Sequence, residues 1–224
     1  LVVVSNRVAP IEEGKATAGG LAVGVLDALR KSGGIWFGWN GETVKENGPA
    51  KTQTKDNIDY VTFGLTKRDY DRAIADLEQT IKLSPNDATA YYDRAVAYGA
   101  KGNAERAIAD FDQSIKFNPN DALAYNNRGY AYRNKGDIAR AVADYEQAIK
   151  LDPTNAVAYY NRGNALYERR DYDRAIADFD ATLKINPNDA LALYNRGLAW
   201  RDKGDSAKAV ADFGRVAQLQ PKNA

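Results

Sequence analysis

The sequence predicts a mainly α protein, an α-solenoid of stacked helix-turn-helix repeats, preceded by a small α/β, Rossmann-like fragment. Three observations carry this expectation. Pro85, Pro119, Pro153, Pro187 and Pro221 are each 34 residues apart, and a strict period of about 20 to 50 residues marks units that bury their apolar faces on one another. Within the period the apolar positions follow helical rather than strand spacing. Residues 1–66 lack the period and read as Gly-rich, with short β-branched and aromatic runs. The expected organisation is an α/β fragment over 1–66, a half-repeat helix and junction over 67–87, and four repeats over 88–221, divided as 88–121, 122–155, 156–189 and 190–221.

Taken in order, the chain opens with an apolar run at 1–4, a loop to 18, a helix-like stretch over 20–31, and Gly33-Gly34. An aromatic run over 35–39, a polar loop to Asp56 and a strand-like stretch over 58–65 follow. A β-branched run, a Gly-containing loop and a helix form the opening of a βαβ unit, whose helix N-terminus can receive an anion. Ala18-Gly19-Gly20-Leu21 does not have the spacing of a dinucleotide fingerprint, and a tight strand-helix turn is the favoured reading of it. Val2, Val3 and Val4 in succession suit a strand covered on both faces, so a small three-stranded sheet with one helix is expected.

The stretch with Tyr70, Ala73, Leu77, Ile81 and Pro85 repeats the second half of a unit. Each full unit begins at Ala88, Ala122, Ala156 or Ala190. The fourth residue is Tyr91, Tyr125, Tyr159 or Leu193, the eighth is Ala95, Gly129, Gly163 or Gly197, and the eleventh is Tyr98, Tyr132, Leu166 or Trp200. These lie on one stripe of an amphipathic helix. A second helix carries Ala107, Ala141, Ala175 and Ala209, with Phe111, Tyr145, Phe179 and Phe213 four residues on. Gly102, Gly136 and Gly204 stand between the helices, where a left-handed residue is easiest for glycine; Arg170 breaks that rule in the third unit. The Pro stops each second helix, and the Asn or Asp beside it caps the next.

This pattern resembles the tetratricopeptide repeat (TPR) family. The resemblance implies a right-handed superhelix whose first helices line a concave groove for extended peptides or partner helices. The second, fifth, sixth, ninth, twelfth and thirteenth residues of each unit are expected to face that groove. In the first unit these include Tyr92, Asp93 and Val96, and in the second Asn126, Asn127, Tyr130 and Arg133. The third contributes Tyr160, Asn161, Asn164 and Tyr167, and the fourth Tyr194, Asn195, Leu198 and Arg201. Some of these aromatics are equally suited to packing between neighbouring helices. Asn127, Asn161 and Asn195, with Asp93 in register, resemble the asparagine ladder of the O-linked N-acetylglucosamine transferases, whose amides hold a peptide main chain. The Lys-plus-Asn carboxylate clamp of chaperone-binding TPR proteins is not matched, because the fifth positions are Tyr92, Asn126, Tyr160 and Tyr194. An extended internal segment is therefore expected rather than a free C-terminus. Arg94, Arg128, Arg162 and Arg196 depart from the family's usual Leu, and Asp110, Asp144, Asp178 and Asp212 each follow sixteen residues later. Ion pairs within a unit and with the preceding unit both fit.

The segments Leu1-Val-Val-Val-Ser-Asn-Arg7, Ala18-Gly-Gly-Leu-Ala-Val-Gly24 and Gly34-Ile-Trp-Phe-Gly-Trp-Asn-Gly-Glu42 resemble the N-terminus of the trehalose-phosphate synthases, and the similarity runs to about residue 71. These are glycosyltransferases that join glucose from UDP-glucose to glucose 6-phosphate. The resemblance implies that Arg7 contacts the acceptor phosphate and that Gly19 and Gly20 bring backbone amides to the nucleotide sugar, roles that a guanidinium fork and a residue without Cβ suit. The remaining acceptor domain and the donor domain are replaced by repeats, so no enzymatic activity is expected. Arg68-Asp-Tyr-Asp-Arg-Ala-Ile-Ala-Asp76 recurs as Arg170-Asp-Tyr-Asp-Arg-Ala-Ile-Ala-Asp178, and recombination at this shared stretch would produce the junction.

Composition narrows the function classes. A net charge of +1 with interspersed signs offers no basic patch for nucleic acid or a membrane surface. Without Cys or His, thiol chemistry and an ordinary zinc site are excluded, and no cofactor or metal is expected. No apolar run approaches the roughly 20 residues of a membrane helix, and a cytoplasmic protein is expected. With no Met, the sequence does not begin at an initiator and reads as a trimmed or partial chain. The favoured function is a protein-protein interaction scaffold. The alternatives are a synthase fragment inactive as it stands, and a structural module forming homo-oligomers through its repeat ends or the N-terminal sheet edge.

Overall fold

The computed structural model describes residues 34–44, 51–55 and 58–219. Its contacts divide the chain into two units, Leu1–Asp76 and Leu77–Ala224. In the first, strands β1 (Gly34–Val44), β2 (Lys51–Lys55) and β3 (Ile58–Thr66) form one sheet with β3 at its centre. β1 pairs with β3 in parallel, Gly34 opposite Ile58, with a shift of register between Trp39 and Thr43. β2 pairs with β3 antiparallel, Lys55 opposite Ile58.

This sheet corrects the expectation for the fragment. β2 lies in the stretch expected as a polar loop, where Thr52 and Thr54 alternate with longer polar residues and give a short edge strand its β-branched positions. Between β1 and its parallel neighbour β3 the chain places this antiparallel strand, not the crossover helix a βαβ unit requires. A Rossmann-like fragment is therefore not supported. The strand expected at 1–4 and the helix at 20–31 lie outside the described residues.

From residue 67 the described chain is helical. Helix α1 (Lys67–Leu83) occupies the half-repeat. The first unit is α2 (Ala88–Ala100) and α3 (Ala104–Phe117), and the second α4 (Ala122–Asn134) and α5 (Ile138–Leu151). The third is α6 (Ala156–Glu168) and α7 (Tyr172–Ile185), and the fourth α8 (Ala190–Lys203) and α9 (Ser206–Leu219). The eight helices expected after residue 88 are present. Their starts are set by side-chain caps: Asp87, Asp121 and Asp189 each accept two backbone N–H groups, at 2.9–3.2 Å, at the heads of α2, α4 and α8. Such a cap satisfies donors the helix itself leaves unpaired.

Small residues let the two helices of a unit meet. Ala107, Ala141 and Ala175 are fully buried on the second helices, and the aromatic four residues later crosses a glycine of the first. A Cβ on Gly163 would stand 2.8 Å from the Phe179 ring, and one on Gly129 2.9 Å from Tyr145. The first unit has Ala95 at this position and still buries Phe111.

Between the helices, Gly102, Gly136 and Gly204 take φ of 78°, 81° and 100°. Arg170 holds the same left-handed position at φ 61°. An L residue there costs about 1–2 kcal/mol, and glycine returns about 0.5–1 kcal/mol of that as chain entropy. Arg170→Gly is expected to stabilise the protein by about 0.5–1 kcal/mol in urea unfolding; equal or lower stability would show that Arg170 carries an offsetting contact.

Candidate functional site

The candidate site is the face formed by the first helices, α2, α4, α6 and α8. Each is held to its own second helix by a two-pronged ion pair. Arg94 bonds Asp110, Arg128 bonds Asp144, Arg162 bonds Asp178 and Arg196 bonds Asp212, with Nε and Nη2 donating to separate carboxylate oxygens at 2.5–2.8 Å. Two of the arginines also reach the preceding unit: Arg128 Nη1 to Asp112 at 2.7 Å and Arg196 Nη1 to Asp180 at 2.6 Å. Pairing therefore runs within the unit throughout and between units where the earlier acid is Asp. Where that position holds Glu146, its carboxylate turns to Arg174 instead, at 3.0 Å. Burial opposes the Arg128 charge, and the hydrogen bonds to Asp144 and Asp112 outweigh it, holding the guanidinium above its usual range.

The first helices are tied to one another by the residues expected to line the groove. Asn127 Nδ2 donates to the Tyr92 hydroxyl at 2.8 Å, Asn161 Nδ2 to Asn126 Oδ1 at 3.0 Å, and Asn195 Nδ2 to the Tyr160 hydroxyl at 3.0 Å. In each case the sixth residue of a unit reaches the fifth of the unit before. Asn195 Nδ2 also donates to Asn164 Oδ1 at 2.8 Å, and Asn126 Nδ2 to Asn127 Oδ1 at 3.1 Å. A second ladder joins the twelfth residue of one unit to the thirteenth of the next: Arg133 pairs with Glu168, and the Tyr167 hydroxyl donates to Asp202 at 2.5 Å. Arg201 bonds Asp202 from within its own helix. Much of the expected groove chemistry is thus spent holding units together.

What is left over differs from the expected set. Tyr92 and Tyr160 are half-buried and pack on Phe111 and Phe179, their ring centroids 5.8 and 6.1 Å apart. Burial, and after it Asp121 and Asp93, push the Tyr92 hydroxyl up to about 12. Tyr130 and Tyr194 are exposed. Val96, Leu198 and Asn164 are half-buried. Among the described residues, nothing donates to Asn161 Oδ1 or Asn195 Oδ1, and Asn164 Nδ2 has no acceptor. Asp93 takes no hydrogen bond or ion pair among them either, and burial, with Asp87 second, raises its carboxyl above the usual range. Arg7, Gly19 and Gly20 lie outside the described residues.

The sequence reading named the second position of each unit but took no residue from it. Leu123, Val157 and Leu191 stand there, 56 %, 58 % and 64 % exposed. The signal was available, since aliphatic side chains recur 34 residues apart at a position outside the buried stripe. Tyr145 was also missed as a polar residue: its ring fills the core beside Gly129, while its hydroxyl is buried without a hydrogen-bond partner among the described residues. No cluster of three or more metal-binding side chains occurs among the described residues, and no helix among them is long and apolar enough to cross a membrane.

Comparison with known proteins supports the two-part reading. A family model described as "Tetratricopeptide repeat" matches residues 65–122 and 160–224, a second of that description matches 111–143, and one described as "TPR repeat" matches 129–169. Among solved structures, MamA superposes with a TM-score of 0.67 at 27 % identity, covering 70 % of this chain and 92 % of that one. YrrB, described as a TPR protein with an unusual peptide-binding site, gives 0.62 at 22 %, covering 69 % of this chain and 80 % of its own. PilW, a type IV pilus biogenesis factor, gives 0.63 at 23 %, covering 69 % and 71 %. A different part of the resemblance is to trehalose-6-phosphate synthases. That of Cronobacter sakazakii is 54 % identical over 72 residues, 32 % of this chain and 15 % of the synthase, and that of Sodalis glossinidius 47 % over 81 residues, 36 % and 17 %. The chain thus spans about one sixth of the length of these curated relatives, a fragment resemblance.

Two expectations concern the unpaired groups. Removing the Tyr145 hydroxyl leaves the Phe found in the other three units, so Tyr145→Phe is expected to stabilise the protein by about 1 kcal/mol, measured as a shift of the urea midpoint; destabilisation would show that the hydroxyl has a partner. Asp93 has its folded pKa above its unfolded value, so its ionised form works against folding above that range, and the cost vanishes once pH falls below the ordinary carboxylate pKa of about 3.9. Asp93→Asn is therefore expected to raise the melting temperature at pH 7 and to leave it nearly unchanged at pH 3; a loss at pH 7 would mean that the carboxylate is stabilised in the folded chain.

Proposed function

Since the chain belongs to the tetratricopeptide repeat family, we propose that it is a protein-interaction scaffold that binds an extended segment of a partner polypeptide along the face of α2, α4, α6 and α8. The observation that carries this reading is what remains there once the inter-unit ladders are counted. Three exposed aliphatic side chains, one in each of the last three units, share a helical stripe with two amide oxygens and one amide nitrogen that no described residue engages. A main chain needs such acceptors and donors, and its side chains need apolar contacts. The ladder supports binding in a second way. With Nδ2 of Asn161 and Asn195 held by the neighbouring helix, the free oxygens are fixed before a ligand arrives, which lowers the ordering cost of association. YrrB, whose repeats share this fold, is described as having a peptide-binding site, and peptide binding is the function we carry over.

The synthase's activity is not carried over. Glycosyl transfer belongs to proteins of which this chain spans about one sixth, and the residues the resemblance assigns to substrate lie outside the described ones.

Ligands selected from a library of random twelve-residue peptides against the full chain test the reading. Replacing Asn161 and Asn195 together by Ala is expected to weaken the selected peptides by about 1–3 kcal/mol, read by fluorescence anisotropy. Because these amides also join units, Leu123→Ser with Leu191→Ser, which alters exposed side chains alone, is the companion variant and is expected to weaken binding as well. Affinity unchanged in both would place the binding surface elsewhere.

A further inference from the structure

The face is not uniform along its length, and the difference specifies the ligand. At the second position the first unit has the polar Thr89 where the next three have Leu123, Val157 and Leu191. At the sixth position the first unit has Asp93 where the others have asparagines that bond the preceding helix. Asp93 is half-buried, lies near Asp87, and is balanced by no cation among the described residues. The other charges on the face are already matched, Arg133 with Glu168 and Arg201 with Asp202. Among the described residues, one end of the face is therefore acidic and uncompensated, and the rest is an apolar stripe with one anchor point in each of the last three units.

Spacing follows from packing. The first helices of neighbouring units touch through hydrogen bonds such as Asn127 to Tyr92 and Asn195 to Tyr160. Helices in direct contact lie about 8–10 Å apart. An extended strand rises about 3.3 Å per residue, and a polyproline II segment about 3.1 Å with three residues per turn. Three residues of ligand thus span one unit, and in polyproline II every third side chain returns to the same side.

Building on the scaffold reading, we propose that the ligand is an extended polypeptide with a Lys or Arg at one end and apolar side chains three, six and nine residues away, the base set against Asp93 and the apolar residues against Leu123, Val157 and Leu191 in turn. The pattern fixes the order of contacts along the face, and a chain running in either direction satisfies it. A ligand cation offsets the isolated carboxylate, which the folded protein keeps although nothing described compensates it. Unlike a clamp for chain termini, this recognition needs no free carboxylate.

The test uses the full chain and four capped synthetic peptides, read by isothermal titration calorimetry. The first is Lys-Pro-Ser-Leu-Pro-Ser-Leu-Pro-Ser-Leu, whose prolines prevent a helix. The second has this order reversed, the third is the tighter-binding of these two with Ser in place of Lys, and the fourth is that same peptide with its leucines at every second residue. One of the first two is expected to bind at least tenfold more tightly than the fourth and fivefold more tightly than its neutral form. Val157→Ser is expected to weaken the preferred peptide about fivefold. Asp93→Asn is expected to abolish the preference for Lys over Ser while leaving the neutral peptide unchanged. Equal binding of the two spacings, a Lys preference that survives Asp93→Asn, or no binding by either direction overturns the proposal. If library-selected ligands of another pattern still depend on Asn161, Asn195, Leu123 and Leu191, the scaffold reading stands and only the ligand assignment fails.

Discussion

Everything else in the repeats depends on one crossing, made where two consecutive residues of a first helix meet two consecutive residues of a second. In the second unit these are Arg128-Gly129 against Asp144-Tyr145. The glycine lets the Tyr145 ring come in close, and the rings of Tyr125 and Tyr132, 5.4 and 5.9 Å from the Arg128 guanidinium, flank the ion pair. Side chains of Asp144 and Arg128 are 9 % and 18 % exposed, so the pair is neither a free surface bridge nor fully desolvated. Its net contribution to stability is modest, because desolvation offsets much of the attraction, but breaking it leaves a charge without a partner, a loss of about 3–5 kcal/mol for a fully buried pair. The crossing therefore acts mainly on geometry. Arg128 can satisfy both oxygens of Asp144 in one register of the two helices, and Gly129 admits Tyr145 in that same register.

Once each pair is fixed, the next unit has few ways to attach. Arg128 and Arg196 each use a third nitrogen to hold an Asp of the unit before, and the asparagine one residue earlier bonds the preceding first helix. Positions six and seven of a unit thus look backward along the stack from two sides of one helix. This is the nearest-neighbour coupling on which a solenoid's stability rests. Coupling is uneven, since Glu78 and Glu146 occupy the positions of Asp112 and Asp180, and Glu146 is drawn to Arg174.

The fold of the repeats was legible because its determinants are local and periodic. The prolines and the Asn and Asp caps act within about one helical turn of where they stand, and the Ala and Gly positions act on the adjacent helix of the same unit, sixteen residues on at Gly129 and Tyr145. The site was half legible. Fifth, sixth and twelfth positions were recognised, but a one-dimensional sequence cannot distinguish an amide turned toward a ligand from one turned toward a tyrosine 35 residues back, and Asn127 and Asn195 proved to bond Tyr92 and Tyr160. Leu123, Val157 and Leu191 were passed over because an exposed aliphatic residue is unremarkable singly; only its recurrence gives it meaning. In the fragment, β2 escaped because five polar residues carry no hydrophobic alternation, and β3 pairs with them through the backbone.

Which residues a scaffold uses for a partner is best found by subtraction. On the first-helix face the polar groups fall into two sets. Those with a bond to the next or previous unit, Asn126 and Arg133 among them, cannot be turned toward a ligand without loosening the stack. Those with no such bond, Asp93 and the oxygens of Asn161 and Asn195, contribute nothing described to the stack, and Asp93 opposes folding when ionised. Likewise the exposed aliphatic residues lie outside the crossing that makes the core, so burial of Leu166 or Phe179 does not account for them. A family resemblance alone would have assigned the whole asparagine ladder to the ligand. The hydrogen bonds divide it: the three nitrogens and the Asn127 oxygen are engaged within the protein, and the oxygens of Asn161 and Asn195 are not engaged by any described residue.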